Sequence, residues 1–113
     1  MKSKRVYVAG PYSTGDVAQN VRNAILVADR LTKIGYVPFI PHLFHFWHLI
    51  CPHDWGFWLE QDIQWLEVCD CLLRLPGKSI GADREVERAY QLGMSVYASI
   101  ESLIDGRPML KYD

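Results

Sequence analysis

Four short apolar runs, each closed by a turn signal and separated from the next by a segment of helical period, limit what this chain can fold into. The first, Arg5-Val6-Tyr7-Val8-Ala9, ends at Gly10-Pro11 and reads as a buried strand. Apolar residues then recur at Val17, Val21, Ala24, Ile25, Ala28, Leu31 and Ile34, one face of a helix, with Asp16 placed to cap its start and Gly35 to stop it. Residues 36–40 form the second strand, and Pro38 means that it lies at an edge or pairs imperfectly. Residues 41–58 hold all four histidines and most of the large aromatics, and read as a helix followed by a loop. A helix over 56–68 follows, carrying Phe57, Leu59, Ile63 and Leu66 on one side. The third strand is 71–75, a loop spans 76–81, and a helix over 83–92 turns Val86, Ala89 and Tyr90 inward and stops at Gly93. A fourth strand at 95–98 and a short helix at 100–104 complete the pattern. Such alternation predicts an α/β fold: a small three-layer parallel sheet of about four or five strands, helices on both faces, right-handed crossovers.

Composition fits a single folded unit over residues 1–113. Half the residues are hydrophobic and 22% are charged, which excludes disorder, and a chain this long buries about two-thirds of its unfolded surface. Cys51, Cys69 and Cys71 are odd in number, lack CxxC spacing and suit a reducing compartment, so a cytoplasmic location is expected. Cys69 and Cys71 are expected to lie two apart on one strand as buried, inert thiols. With net charge −1 and one basic cluster, Lys2, Lys4 and Arg5, duplex nucleic acid is not an expected partner. No membrane span or targeting segment is expected either.

Ligands of parallel sheets bind outside the carboxyl ends of the strands, which directs attention to the loops after strands one and three. Gly10, Tyr12 and Ser13 lie in the first, where amides and hydroxyls can hold a phosphate or a sugar hydroxyl. In the other, Ser79 and Gly81 precede Glu85, expected near the first turn of its helix, where the dipole and free amides would keep a carboxylate ionised. Two readings stay open for Glu85: an ordinary first-turn acid, or a carboxylate nucleophile. Asp62, on the preceding helix, is either a solvated residue or a second acid at the same cleft, and two acids at one cleft suit glycosidic bond chemistry. Arg74 interrupts an apolar strand and needs a partner, a site carboxylate or a substrate phosphate, unless it sits at an exposed edge. Gly77-Lys78-Ser79 resembles the end of a phosphate loop, but position 72 is Leu where the first glycine belongs, so an NTPase is not supported. His42, His45, His48 and His53 raise the question of a metal, yet the first three spread too far around a helix to share an ion. Structural roles and hydrogen bonds to a ligand remain open for them, and no cofactor is expected. Phe46, Trp47, Trp55 and Trp58 are too many large rings for one small core, so some are expected at an interface.

Taken together, Tyr7-Val8-Ala9-Gly10, Asp62-x-x-Trp65-Leu66-x-x-Cys69-Asp70 and Ser79-x-Gly81-x-x-x-Glu85 resemble the nucleoside 2-deoxyribosyltransferase family, including its nucleoside 5'-monophosphate N-glycosidase branch. The resemblance covers roughly residues 5–15 and 59–98. It implies a flavodoxin-like or Rossmann-like sheet and cleavage of an N-glycosidic bond through a covalent glycosyl intermediate on Glu85. By the same likeness Asp62 assists proton transfer, Tyr7 orients the nucleophile, and Ser79 contacts the sugar or its phosphate. It also implies a nucleoside or nucleotide as small-molecule partner and a homodimer or homotetramer. A nucleotide-binding sensor of the same fold, without turnover, is the alternative.

Overall fold

The computed structural model describes residues 4–111, so Lys2 lies outside the described residues. Period-2 alternation along the first strand, β1 (Arg5–Ala9), sorts the core into two layers. Val6 and Val8 face one side, where they meet Leu31, Tyr97, Ile100 and Leu103. Tyr7 and Ala9 face the other, among Leu66, Ala82, Ala89 and Val96. Each layer is closed by helices whose apolar stripe matches it. Helix α1 (Val17–Lys33) and helix α5 (Ile100–Ile104) cover the first face. Helix α3 (Trp55–Leu66) and helix α4 (Ile80–Gln91) cover the second.

Local sequence sets the boundaries. The Asp16 carboxylate accepts from Gln19 N at 3.2 Å and caps α1, which carries Arg30 and Lys33 in its last turn, where cations complement the dipole. Ser99 and Ser102 form a reciprocal capping box on α5.

Strands β2 (Val37–Phe39) and β3 (Cys71–Arg74) flank β1 and β4 (Ser95–Tyr97) pairs with β3, all parallel, in the order β2-β1-β3-β4. Pro38 thus lies on an edge strand, where its missing N–H is tolerated. From β1 the chain moves outward to β2, then crosses back over β1 to β3. The winding direction reverses between β1 and β3, and the loops leaving their carboxyl ends diverge to open a crevice. The order and layers are those of a flavodoxin-like α/β fold.

Three details differ from the expectations. Residues 41–50 form a 3-10 turn (Pro41–Leu43) running into a short helix, α2 (Phe44–Ile50), and the loop is only 51–54 because Asp54 caps α3 by accepting from Phe57 N at 2.8 Å. Helix α4 starts at Ile80 rather than Asp83, since Ser79 Oγ accepts from Ala82 N at 3.1 Å. Cys69 precedes β3 instead of lying on it and is only half-buried, its Sγ donating to Trp65 O, so the two thiols share no strand face and Cys71 alone is buried. Burial pushes both thiols up to about 11. Among the described residues no helix is long and apolar enough to cross a membrane.

Candidate active site

The crevice between β1 and β3 depends on two close approaches. A Cβ at Gly10 would stand 2.9 Å from the Leu75 Cβ, so the two strand-end loops touch through a position that admits no side chain. Gly77, at φ +114°, packs on Pro11, where a Cβ would meet Cγ at 2.8 Å. Above these contacts lies a cavity of about 710 Å³. Its floor and walls come from Gly10, Tyr12 and Ser13 after β1, Asp62 on α3, and Ser79, Gly81 and Glu85 after β3.

Helical spacing explains how the two acids reach it. On α4, Ala82, Glu85, Val86 and Ala89 form the i, i+3, i+4, i+7 stripe that packs on the sheet, and Glu85 is the acid within that stripe, only 4% exposed. On α3, Leu59, Asp62, Ile63 and Leu66 follow the same spacing, with Ile63 and Leu66 in the core and Asp62 turned toward α4. The Tyr7 side chain rises from the centre of β1, fully buried, and its hydroxyl donates to Glu85 Oε2 at 2.5 Å. Asp62 and Glu85 lie close enough for each carboxyl to shift the other's proton affinity. Three side chains from a strand and two helices, separated by 78 positions at the extremes, therefore meet at one point.

Electrostatics assigns the protons. Two carboxyls in contact and out of water cannot both be charged. Burial first, then the Glu85 charge and their hydrogen bond, push Asp62 up to about 9. Burial also raises Glu85, but hydrogen bonds from Asp62 and Tyr7 and the charge of Arg74 pull against it. Of the two, Asp62 is the acid pushed most strongly toward its protonated form, and Glu85 is the one whose charge its neighbours favour. Asp62 Oδ1 is buried with no hydrogen-bond partner, an orphan acceptor at the cavity. Tyr7 stays neutral, raised by its burial and by both acids.

Several expected site residues take other roles. Glu85 is the sixth residue of α4, beyond the free amides of the first turn, so the helix terminus does not offset its burial; hydrogen bonding and the charge of Arg74 do, in part. Arg74 does not line the cavity. Its guanidinium donates to Leu75 O, Gly77 O and Asp83 Oδ1, tying the loop to α4, and it acts on Glu85 through charge alone. Ser79 both caps α4 and lines the cavity. A Cβ at Gly81 would make ordinary contacts, 3.9 Å from Trp55 Nε1, so its bareness leaves room rather than permitting a close backbone approach.

The histidine segment supplies a further wall, beyond the loops that follow β1 and β3. His42 is buried with Nε2 3.1 Å from Pro11 O, and burial lowers its pKa. His45 Nδ1 lies 2.6 Å from the Tyr12 hydroxyl. His48, His53, Trp55 and Trp58 join them, and Arg84 stacks over the Trp55 ring at 5.6 Å. Among the described residues no three metal-ligating side chains converge.

The fold is shared with a solved structure, the 2-deoxyribosyltransferase from the psychrotolerant bacterium Bacillus psychrosaccharolyticus. It superposes with a TM-score of 0.57 at 20% identity, over 88% of this chain and 78% of that one. At that identity the likeness establishes the architecture. No curated protein matches this sequence. A family model described as a domain of unknown function, DUF7768, matches residues 4–99, so the chain belongs to that family.

Proposed function

We propose that this protein cleaves the N-glycosidic bond of a nucleoside or nucleoside 5'-monophosphate by double displacement. The contact among Asp62, Glu85 and Tyr7 inside one cavity carries the proposal. Burial and the Glu85 charge favour a proton on Asp62, so one acid of the cluster can serve the leaving base while the other attacks. Glu85 attacks C1' and forms a glycosyl ester as the C1'–N bond breaks. The bonding pair goes to the base nitrogen, and the Asp62 proton neutralises the leaving base. Water or a second base then attacks C1'; Asp62, now a carboxylate, takes the proton, and Glu85 leaves as the carboxylate it began as. Gly10, Tyr12, Ser13, Ser79 and Gly81 border the cavity and are placed to contact the sugar or its phosphate. The likeness of fold to an enzyme described as a biocatalyst for nucleoside synthesis supports the same chemistry.

Incubation with ribo- and deoxynucleosides and their 5'-monophosphates, with and without an acceptor base, should release free base or exchange it. A nucleotide that binds but stays intact across the panel would instead make the protein a sensor. Tyr7→Phe should keep the fold and lower kcat about 10- to 100-fold, the equivalent of one hydrogen bond to a charged group. Because Tyr7 stabilises the Glu85 anion, the acid limb of the pH–rate profile should move to higher pH, and an unmoved limb would remove Tyr7 from this role.

Self-association belongs to the same proposal. Phe46, Leu49 and Ile50 on α2 are 53%, 65% and 82% exposed, an apolar surface that a second copy would cover. Sedimentation at micromolar concentration should give a dimer or tetramer; a monomer would refute it.

A further inference from the structure

Of the histidines around the cavity, His48 has its ring proton assigned by two neighbours. Its Nδ1 accepts from Trp58 Nε1 at 2.8 Å and from the His53 main-chain N at 3.3 Å. A nitrogen that accepts two N–H groups carries no hydrogen, so in the neutral ring the proton sits on Nε2. Among the described residues no protein acceptor meets that Nε2, and the ring borders the cavity.

The donors are held rigidly. The Trp58 indole stacks on Phe44 at 5.6 Å and 29°, and meets Trp47 edge-on at 5.0 Å and 87°. His53 stacks on Phe57 at 3.8 Å. With both rings packed, the imidazole cannot exchange tautomers without setting an Nδ1–H against the indole N–H of a part-buried pair. His48 therefore offers a ligand one hydrogen-bond donor and no acceptor.

We propose that His48 selects the leaving base, favouring a heterocycle that presents a ring carbonyl to this wall over one that presents an exocyclic amine. The assignment rests on the N-glycosidase function above. Phe44 and Trp58 supply the flat apolar surface for the ring, and the Nε2–H supplies the polar discrimination. An amine turned toward Nε2 would set donor against donor in a partly dry site, and mismatched polar pairs of that kind reject a ligand more strongly than a lost contact does.

Matched pairs test it: 2'-deoxyinosine against 2'-deoxyadenosine, and their 5'-monophosphates. The unmodified protein should favour the oxo member in kcat/KM by about 10-fold or more. His48→Phe, which keeps the ring and removes the N–H, should bring that ratio toward one mainly by slowing the oxo substrate. Trp58→Phe, which keeps the apolar wall but frees Nδ1, should lower the ratio as well and serves if His48→Phe does not fold. Equal rates for the two members, or an equal loss on both in the variants, would overturn the proposal and leave bond cleavage by Glu85 untouched. Long-range proton–nitrogen NMR gives a second readout independent of turnover. It should show His48 protonated on Nε2, with that proton shifted by free hypoxanthine and not by adenine. A proton on Nδ1, or the same response to both bases, would sink the assignment even if no base is released from any substrate.

Discussion

Glu85→Gln is expected to lower base release by about 10⁴-fold or more, the scale seen when an enzyme loses its nucleophile. The amide keeps the shape of the carboxylate and can still accept from the Tyr7 hydroxyl and from protonated Asp62, so the buried cluster should survive. What it cannot do is attack C1', since an amide oxygen is a poor nucleophile and the ester could not collapse back to a carboxylate. Stability should hold or rise, because a charge is removed from a site only 4% exposed. Activity and fold therefore move in opposite directions, a pattern that loss of packing cannot imitate. Intact-mass measurement during turnover should show a glycosyl adduct on the unmodified protein and none on the variant. Loss of less than about 10-fold in a folded Gln variant would remove Glu85 from the chemistry.

How much of this was legible in the sequence follows from the length scale of each signal. The alternation of Val6, Tyr7, Val8 and Ala9 and the apolar stripe of α1 are local, and local periodicity was enough for the three-layer sheet, the Asp16 cap and the edge position of Pro38. The meeting of Tyr7, Asp62 and Glu85 is not local, and spacing along the chain could not establish it. One sign was nonetheless available: Glu85 and Asp62 each occupy an inward position of an otherwise apolar stripe, and a charge there needs a partner. Two other features lie beyond local pattern. The expected start of α4 lies three residues beyond the observed one because Ser79 caps the helix earlier, and Glu85 therefore sits deeper in it than the helix-end argument requires. For the histidines the sequence leaves structural roles and hydrogen bonds to a ligand both open, and their spacing alone does not place them at the cavity. Residues 41–50 also follow the carboxyl end of a parallel strand, and the rule that located the other loops applies to them equally.

Asp62→Asn should separate the proton's role from the shape of the site. Asn can still donate to Glu85, so binding should change little, but it has no proton to give the departing base, and kcat should fall by about 10²- to 10⁴-fold. The pH dependence gives the sharper test. The reactive state needs Asp62 protonated and Glu85 ionised, so in the unmodified protein kcat/KM should decline as pH rises through about 9, where the aspartic acid loses its proton. That alkaline decline should vanish in the Asn variant. Stability carries the same signature with a definite sign. Asp62 is raised from 3.8 to about 9, so across that interval the folded chain binds a proton that the unfolded chain has released, and stability falls as pH rises. The contribution is fully present below 3.8 and lost by about 9. Asn has no such proton, so the variant should gain on the unmodified protein as pH climbs, and the gain should level off above about 9. Urea denaturation at intervals through this range measures it. Parallel stability curves for the two proteins would mean that Asp62 is already charged in the folded state, and with no acid held in reserve beside Glu85 the leaving base would have to take its proton from elsewhere.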